Sequence, residues 1–395
     1  MKLRKLSKNE HGKTRFLWEQ IFQEDSKEFL DYYYYYKANS NEIYVIENKD
    51  EICAMLQLNP YVAHMGDNVI RSVNYIVGVA TAPEYRKQGL MKKLLYKSMQ
   101  DMRDRKEPFV FLMPAAEAIY APFDFRFIYA QNKMKIKQED RIKYINESSE
   151  KLTIREAGIE NMEELAAYSE GILSRRYQLF MKRDAAYYKT LFHEQKCQNG
   201  GILLFYHRTQ LVGYLFYENN DNISIRELVI EKKHSKKSIP SLCEYFKYEG
   251  KQIIITAFDS SAQMEKAEVR PLIMARILNL QEMAAALTAS EKISFTLGIN
   301  DNIIPENNGI YQWQIDENGG LIIPVKELEY CDTLEALYAA ELSGAETPCL
   351  EIHELTSFLF GYRELEDIID EKLYQSLQKM QKINVLKKIF INEIV

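Results

Sequence analysis

Residues Tyr75 to Lys97 constrain this chain more than any other stretch. They run Tyr-Ile-Val-Gly-Val-Ala-Thr-Ala-Pro-Glu-Tyr-Arg-Lys-Gln-Gly-Leu-Met-Lys-Lys-Leu-Leu-Tyr-Lys and read as strand, tight turn, helix. Ile76, Val77, Val79 and Ala80 make an apolar, strand-like run, and Pro83 ends the ladder because it lacks a backbone donor. Leu90, Met91, Leu94 and Leu95 then recur on one face of a helix. The first turn of that helix has unpaired N–H groups and partial positive charge. Gly89 permits close approach of the backbone to a ligand, and Arg86, Lys87 and Lys92 add full charges nearby. Together these features make a seat for a phosphate or diphosphate.

The 395 residues predict two or three domains with ample core. Hydrophobic residues at 46% and charged residues at 27% are ordinary for a soluble globular protein. The net charge of −6 argues against nucleic acid as the main partner, since phosphate backbones need a strongly basic surface. It is compatible with a cationic substrate. The five cysteines, Cys53, Cys197, Cys243, Cys331 and Cys349, are odd in number and have no metal-ligand spacing, so they read as buried reduced thiols and no metal is expected. The basic start Met1-Lys-Leu-Arg-Lys is followed by polar residues, which is not a signal peptide, and no apolar run is long enough for a bilayer. A cytoplasmic protein with no membrane partner is expected.

The opening stretch resembles motif A of the Gcn5-related N-acetyltransferase (GNAT) superfamily. That motif has a strand, then Arg or Gln, two residues, Gly, one residue, and Gly or Ala. This chain has Arg86-x-x-Gly89-x-Met91, and the bulky last position is similar to that of the enhanced intracellular survival (Eis) branch. The resemblance implies acetyl-CoA as cofactor. It would be held by Val79, Ala80 and Thr81 along its pantetheine arm and by Arg86, Lys87, Gln88, Gly89, Leu90, Met91 and Lys92 at its diphosphate. Small Ala115 and Ala116 would let it pass.

Taken in order, residues 14–37 read as helical, with Asp25-Ser26 capping a second helix. Tyr32 to Tyr36 are five consecutive tyrosines that wrap every face of a helix. They read as packing against a sheet or as an aromatic pocket wall with Asp25 and Asp31 as amine partners. Glu42–Glu47 and Ile52–Leu58 flank the turn Asn48-Lys49-Asp50, and Phe127–Lys137 alternates as a closing strand. Asn146-Glu-Ser-Ser-Glu150 is a polar boundary. A second α/β block follows, with a hairpin around Arg208-Thr209-Gln210. A basic run without glycine, Glu231 to Ser238, stands where the first block has its cradle. This block reads as a degenerate copy of the first. The third, with Ile273 to Met283 and Leu355 to Tyr362, resembles the sterol-carrier-protein-like domain that ends Eis proteins. The expected fold class is α/β (α+β): tandem GNAT folds, each a mixed, mostly antiparallel sheet flanked by helices, then a sterol-carrier-like α+β domain. The expected domains are 1–147, 148–271 and 272–395. The resemblance also implies a homo-oligomer, hexameric in the studied branch.

Acetyl transfer from a thioester to an amine needs a donor for the leaving thiolate and an acceptor for the ammonium proton. Tyr120, followed by Phe123, matches by motif the tyrosine that protonates the thiolate in Eis proteins. A thiol's pKa of about 8.5 lies close below a phenol's of about 10. The resemblance assigns the base to the C-terminal carboxylate, here that of Val395. Its ordinary pKa of about 3.3–3.7 must be raised by burial, or the proton relayed by water. The activity so implied is acetyl-CoA-dependent N-acetylation of primary amines on a cationic, aminoglycoside-like small molecule. Acetylation of protein or peptide lysines, and a non-catalytic lipid or CoA carrier, are the alternatives.

Overall fold

The computed structural model describes residues 1–49, 51–258, 267–327, 347–369 and 377–393. The first block supplies five strands: β1 (Lys2–Lys5), β2 (Glu42–Asn48), β3 (Glu51–Met65), β4 (Val69–Thr81) and β5 (Phe109–Leu112). They lie side by side in chain order. All neighbours are antiparallel except β4 and β5, which run parallel. The strand β6 (Arg126–Ile136) follows. The second block gives β7 (Thr153–Glu156), β8 (Leu179–Met181), β9 (Gly201–His207), β10 (Gln210–Asn219), β11 (Ile223–Ile230) and β12 (Ile253–Thr256). The run β7-β9-β10-β11-β12 repeats the first five strands, with β11 and β12 as its parallel pair.

The two halves exchange their next strand. β6 leaves β5 and pairs with β12, while β13 (Glu268–Ile277) leaves β12 and pairs with β5, and β6 and β13 pair with each other. One continuous sheet results. β6 therefore does not close the first sheet as its alternation predicts; β13 sits between it and β5. The expected boundary at 271/272 falls inside β13.

Helices cover both faces of the first half. α1 (Arg15–Ile21) and α2 (Lys27–Tyr32) pack their Leu17, Trp18, Phe29 and Leu30 with Val45, Met55 and Ala80. Ser26 caps α2 by accepting from Phe29 N at 3.1 Å. α3 (Leu90–Asp104) buries Leu90, Leu94, Leu95, Met99 and Met102 on the other face, each worth roughly 1.5–3 kcal/mol. Beyond β5 comes α4 (Glu117–Tyr120).

The third block has a four-stranded sheet of Ile293–Asn300, Gly309–Asp316, Gly319–Glu327 and Cys349–Glu351, backed by the helix Ile352–Leu359. Its Trp313, Leu355 and Leu359 share one core with Phe109, Phe111 and Leu95 of the first half. The chain then returns: Ile389–Phe390 pairs in parallel with β8, which itself pairs with β3. Cys53, Cys243 and Cys349 are buried thiols and Cys197 is half-buried, while Cys331 lies outside the described residues. No helix among the described residues is long and apolar enough to cross a membrane.

Candidate active site

β4 and β5 pair over three positions, Asn74 to Ile76 against Val110 to Leu112, and then part while β4 continues to Thr81. A bulge bends β4 where the wedge opens. Ala80 faces Met55 and Val77 faces Gln57, so Gly78 and Val79 together oppose Leu56. Gly78 takes φ 59°, and a Cβ there would stand 2.5 Å from the Trp18 ring. Glycine is required at that position by both conformation and space.

The turn after β4 carries two left-handed residues, Lys87 at φ 60° and Gly89 at φ 73°. Gly89 is the residue from which α3 starts, and no side chain caps the helix. Its carbonyl takes the first helical bond, from Lys93 N at 3.2 Å. The amides of Leu90, Met91 and Lys92 therefore have no acceptor within the helix. A Cβ at Gly89 would meet nothing within 4 Å, so the space in front of these amides is open. Arg86, Lys87, Gln88, Gly89 and Lys92 are exposed, Met91 is half-buried and Leu90 is buried as the anchor. Arg86 Nε holds Thr81 O at 3.3 Å and ties the turn to the end of β4. The amides, the cations and the open space fit a diphosphate.

The second half lacks these parts. The residues between β11 and the helix Ser235–Tyr245 include no left-handed residue, and buried His234 occupies the helix start.

Tyr120 ends α4, and burial alone pushes its phenol up to about 12. Its ring meets Phe125 edge-on, with centroids 6.0 Å apart. Ala115 and Ala116 sit exposed just before α4 rather than in it. The loop after Tyr120 is held from β13 and from the third block. Arg276, fully buried, donates to Phe123 O at 3.1 Å and pairs with buried Asp301. His353 lies 3.4 Å from Asp124.

A cavity of about 730 Å³ opens between the two halves, lined by Ser72, Val73 and Asn74 of β4, where its pairing with β5 begins, rather than by the wedge beyond Ile76. Tyr36, Lys37 and Tyr61 line it from the first half, Lys182, Glu194 and Arg226 from the second. Asn392 and Glu393 line it from the returning chain. Neither Tyr75 nor Tyr120 lines this cavity; burial raises the Tyr75 phenol most, and the phenols of Tyr61 and Tyr120 raise it further. Buried Glu393 pairs with Arg183 at 2.7 Å, and Arg183 pairs with Glu227 at 2.6 Å. Asn392 donates to Glu227 and accepts from Gln131, each at 2.9 Å. Val395 lies outside the described residues, as does Asp50 of the expected turn.

Of the five tyrosines, Tyr32 and Tyr33 are packing residues and Tyr36 alone lines the cavity. Asp25 and Asp31 do not serve it. Asp25 accepts from the Trp18 indole at 2.7 Å, and Asp31 pairs with Arg15 at 2.6 Å. Sequence reasoning missed Lys37, Tyr61, Lys182, Glu194, Arg226 and Glu393. Only Glu393 had a signal, its place in the apolar C-terminal run.

Residues 2–128 match the acetyltransferase (GNAT) domain family, and residues 279–393 match the sterol carrier protein domain family. No curated protein matches the sequence. Among solved structures, the chain resembles a conserved protein of unknown function from Enterococcus faecalis, described as a probable N-acyltransferase. The TM-score is 0.75 at 17% identity, over 97% of this chain and 93% of that one. It resembles a GCN5-related N-acetyltransferase from Anabaena variabilis at TM-score 0.73 and 14% identity, over 97% and 94%. It resembles Eis1 from Mycobacterium abscessus at TM-score 0.66 and 12% identity, over 98% and 94%. At such identities the likeness is one of fold. Residues 2–128 are thus a GNAT acetyltransferase domain and residues 279–393 a sterol carrier protein domain, and the fold of the whole chain is shared with Eis1.

Proposed function

We propose that this chain transfers acetyl from acetyl-CoA to a primary amine of a small molecule bound in the cavity beside β4. The observation that carries this reading is the uncapped start of α3 at left-handed Gly89, open in front and flanked by exposed cations, at the mouth of the β4–β5 wedge. Acetyl-CoA, when bound, supplies the acetyl group as an activated thioester. The amides of Leu90, Met91 and Lys92, with the charges of Arg86 and Lys87, hold its diphosphate. Gln88 and Gly89 complete that turn. The edge of β4 at Val79, Ala80 and Thr81, beyond its pairing with β5, offers backbone groups to the pantetheine arm and the thioester oxygen. Ala115 and Ala116 leave room across the wedge.

Tyr120 is the proton donor to the departing sulfur, and its raised pKa keeps it protonated at neutral pH. The Val395 carboxylate is the base of this reading; it draws support from Asn392 and Glu393, which line the cavity. The polycationic, aminoglycoside-like acceptor is the version that the family resemblance implies. A thiol-release assay with acetyl-CoA across an amine panel, with mass spectrometry of the product, tests the reading. Thiol release with an N-acetylated amine is expected. Tight acetyl-CoA binding without transfer to any amine or lysine peptide would favour the non-catalytic carrier instead.

A further inference from the structure

Every carboxylate lining the cavity already has a partner within the chain. Glu42 meets Lys5 at 2.8 Å and Arg105 at 3.4 Å, and Glu107 meets Arg105 at 2.7 Å. Glu194 meets Arg226 at 2.8 Å and accepts from Tyr32 at 2.9 Å. Glu393 pairs with Arg183, and Asp184 accepts from Tyr187 N at 2.9 Å at the start of its helix. Two ammonium groups in the same cavity are different. Among the described residues, neither Lys37 nor Lys182 has a carboxylate within 4.0 Å. Lys37 Nζ instead donates to Tyr61 Oη at 3.2 Å and lies 5.6 Å from the centre of that ring.

Lys37 thus sits in a wall of the cavity without a counter-ion. Burial pulls its pKa down, and the fields of Glu194 and Glu393, both already engaged by arginines, offset this only in part. An ammonium taken out of water is costly unless an anion meets it. The cavity's carboxylates thus each have a partner, an arginine or lysine for four of them and a backbone amide for Asp184, whereas half-buried Lys37 has no carboxylate against it.

We propose that the acceptor carries an anionic group, carboxylate or phosphate, in addition to its amine, and that Lys37 and the exposed Lys182 hold that group in the cavity. The proposal rests on the acetyl-transfer reading for the amine and on the cavity alone for the anion.

Calorimetric titration of the full chain with matched probes tests it without needing turnover. The probes are δ-aminovalerate, n-pentylamine and cadaverine, with phosphoethanolamine to tell phosphate from carboxylate. At least one of the two anionic amines is expected to bind about tenfold tighter than pentylamine, and cadaverine no tighter than pentylamine. Lys37→Met should erase that preference and Lys37→Arg should keep it. If Lys37→Met fails to fold, Lys182→Met at its exposed position should weaken the anionic probe and leave pentylamine unchanged. Cadaverine binding tightest, or a preference that survives both methionine variants, would overturn the proposal. Preference for an anionic amine without acetylation of any amine would sink the transfer reading and leave the anion site standing. Acetylation with no such preference would do the reverse.

Discussion

Among single residues, Tyr120 carries the proposed acid role and Gly78 a structural one. The Tyr120 hydroxyl is pushed up to about 12 by burial, so it remains a donor across the range in which an amine can lose its proton. Tyr120→Phe should lower kcat by up to about 10²–10⁴-fold, the usual contribution of a positioned acid. The KM for acetyl-CoA should barely move, because the lost interaction belongs to the transition state. Wild-type kcat should show no alkaline fall from this group until pH approaches 12, since a raised pKa preserves the protonated form. Steady-state kinetics from neutral to alkaline pH check both. Gly78 is structural: a methyl there meets the Trp18 ring and strains the left-handed backbone. Gly78→Ala should cost about 2–4 kcal/mol in urea unfolding, as overpacking and left-handed strain combine.

Among the elements, those set by local pattern were readable and those set by partners were not. α3 follows from the spacing of Leu90, Leu94 and Leu95, and the β9–β10 hairpin from Arg208-Thr209-Gln210 between two apolar runs. Alternation in β6 announces a strand but is silent on its neighbour, so the exchange of β6 and β13 had no sequence signal. Asp25 and Asp31 failed as amine partners because Trp18 and Arg15, close in sequence, claim them first. The turn from β4 into α3 was readable because its parts are contiguous. The cavity was not, because Lys37, Lys182 and Arg226 come from separate elements. The exchange carries a prediction. A fragment of residues 1–147 loses β13, leaving β5 with an open edge and β6 without either neighbour. It should show no cooperative unfolding by circular dichroism; a sharp two-state melt would contradict the exchange.

At the scale of the whole molecule, a buried cluster ties the returning chain to the second half. Arg183 faces Glu227 and Glu393, with all three side chains withdrawn from water. Arg183→Met leaves two buried carboxylates uncompensated and should cost about 3–5 kcal/mol of stability, read by denaturant titration. The homo-oligomer implied by the family resemblance predicts a light-scattering mass above that of one chain, and a monomer at micromolar concentration would count against it. The two halves repeat one strand order, yet only the first has a left-handed glycine at its helix start. One acetyl-CoA site per chain is therefore expected. The most direct test is calorimetric titration of acetyl-CoA into the wild type and Gly89→Glu. That substitution fills the open space with a negative charge, at a cost in stability of roughly 1–2 kcal/mol. One site per chain in the wild type, and none in a Gly89→Glu protein that still unfolds cooperatively, is the predicted result. Equal affinity in both proteins would contradict the cradle.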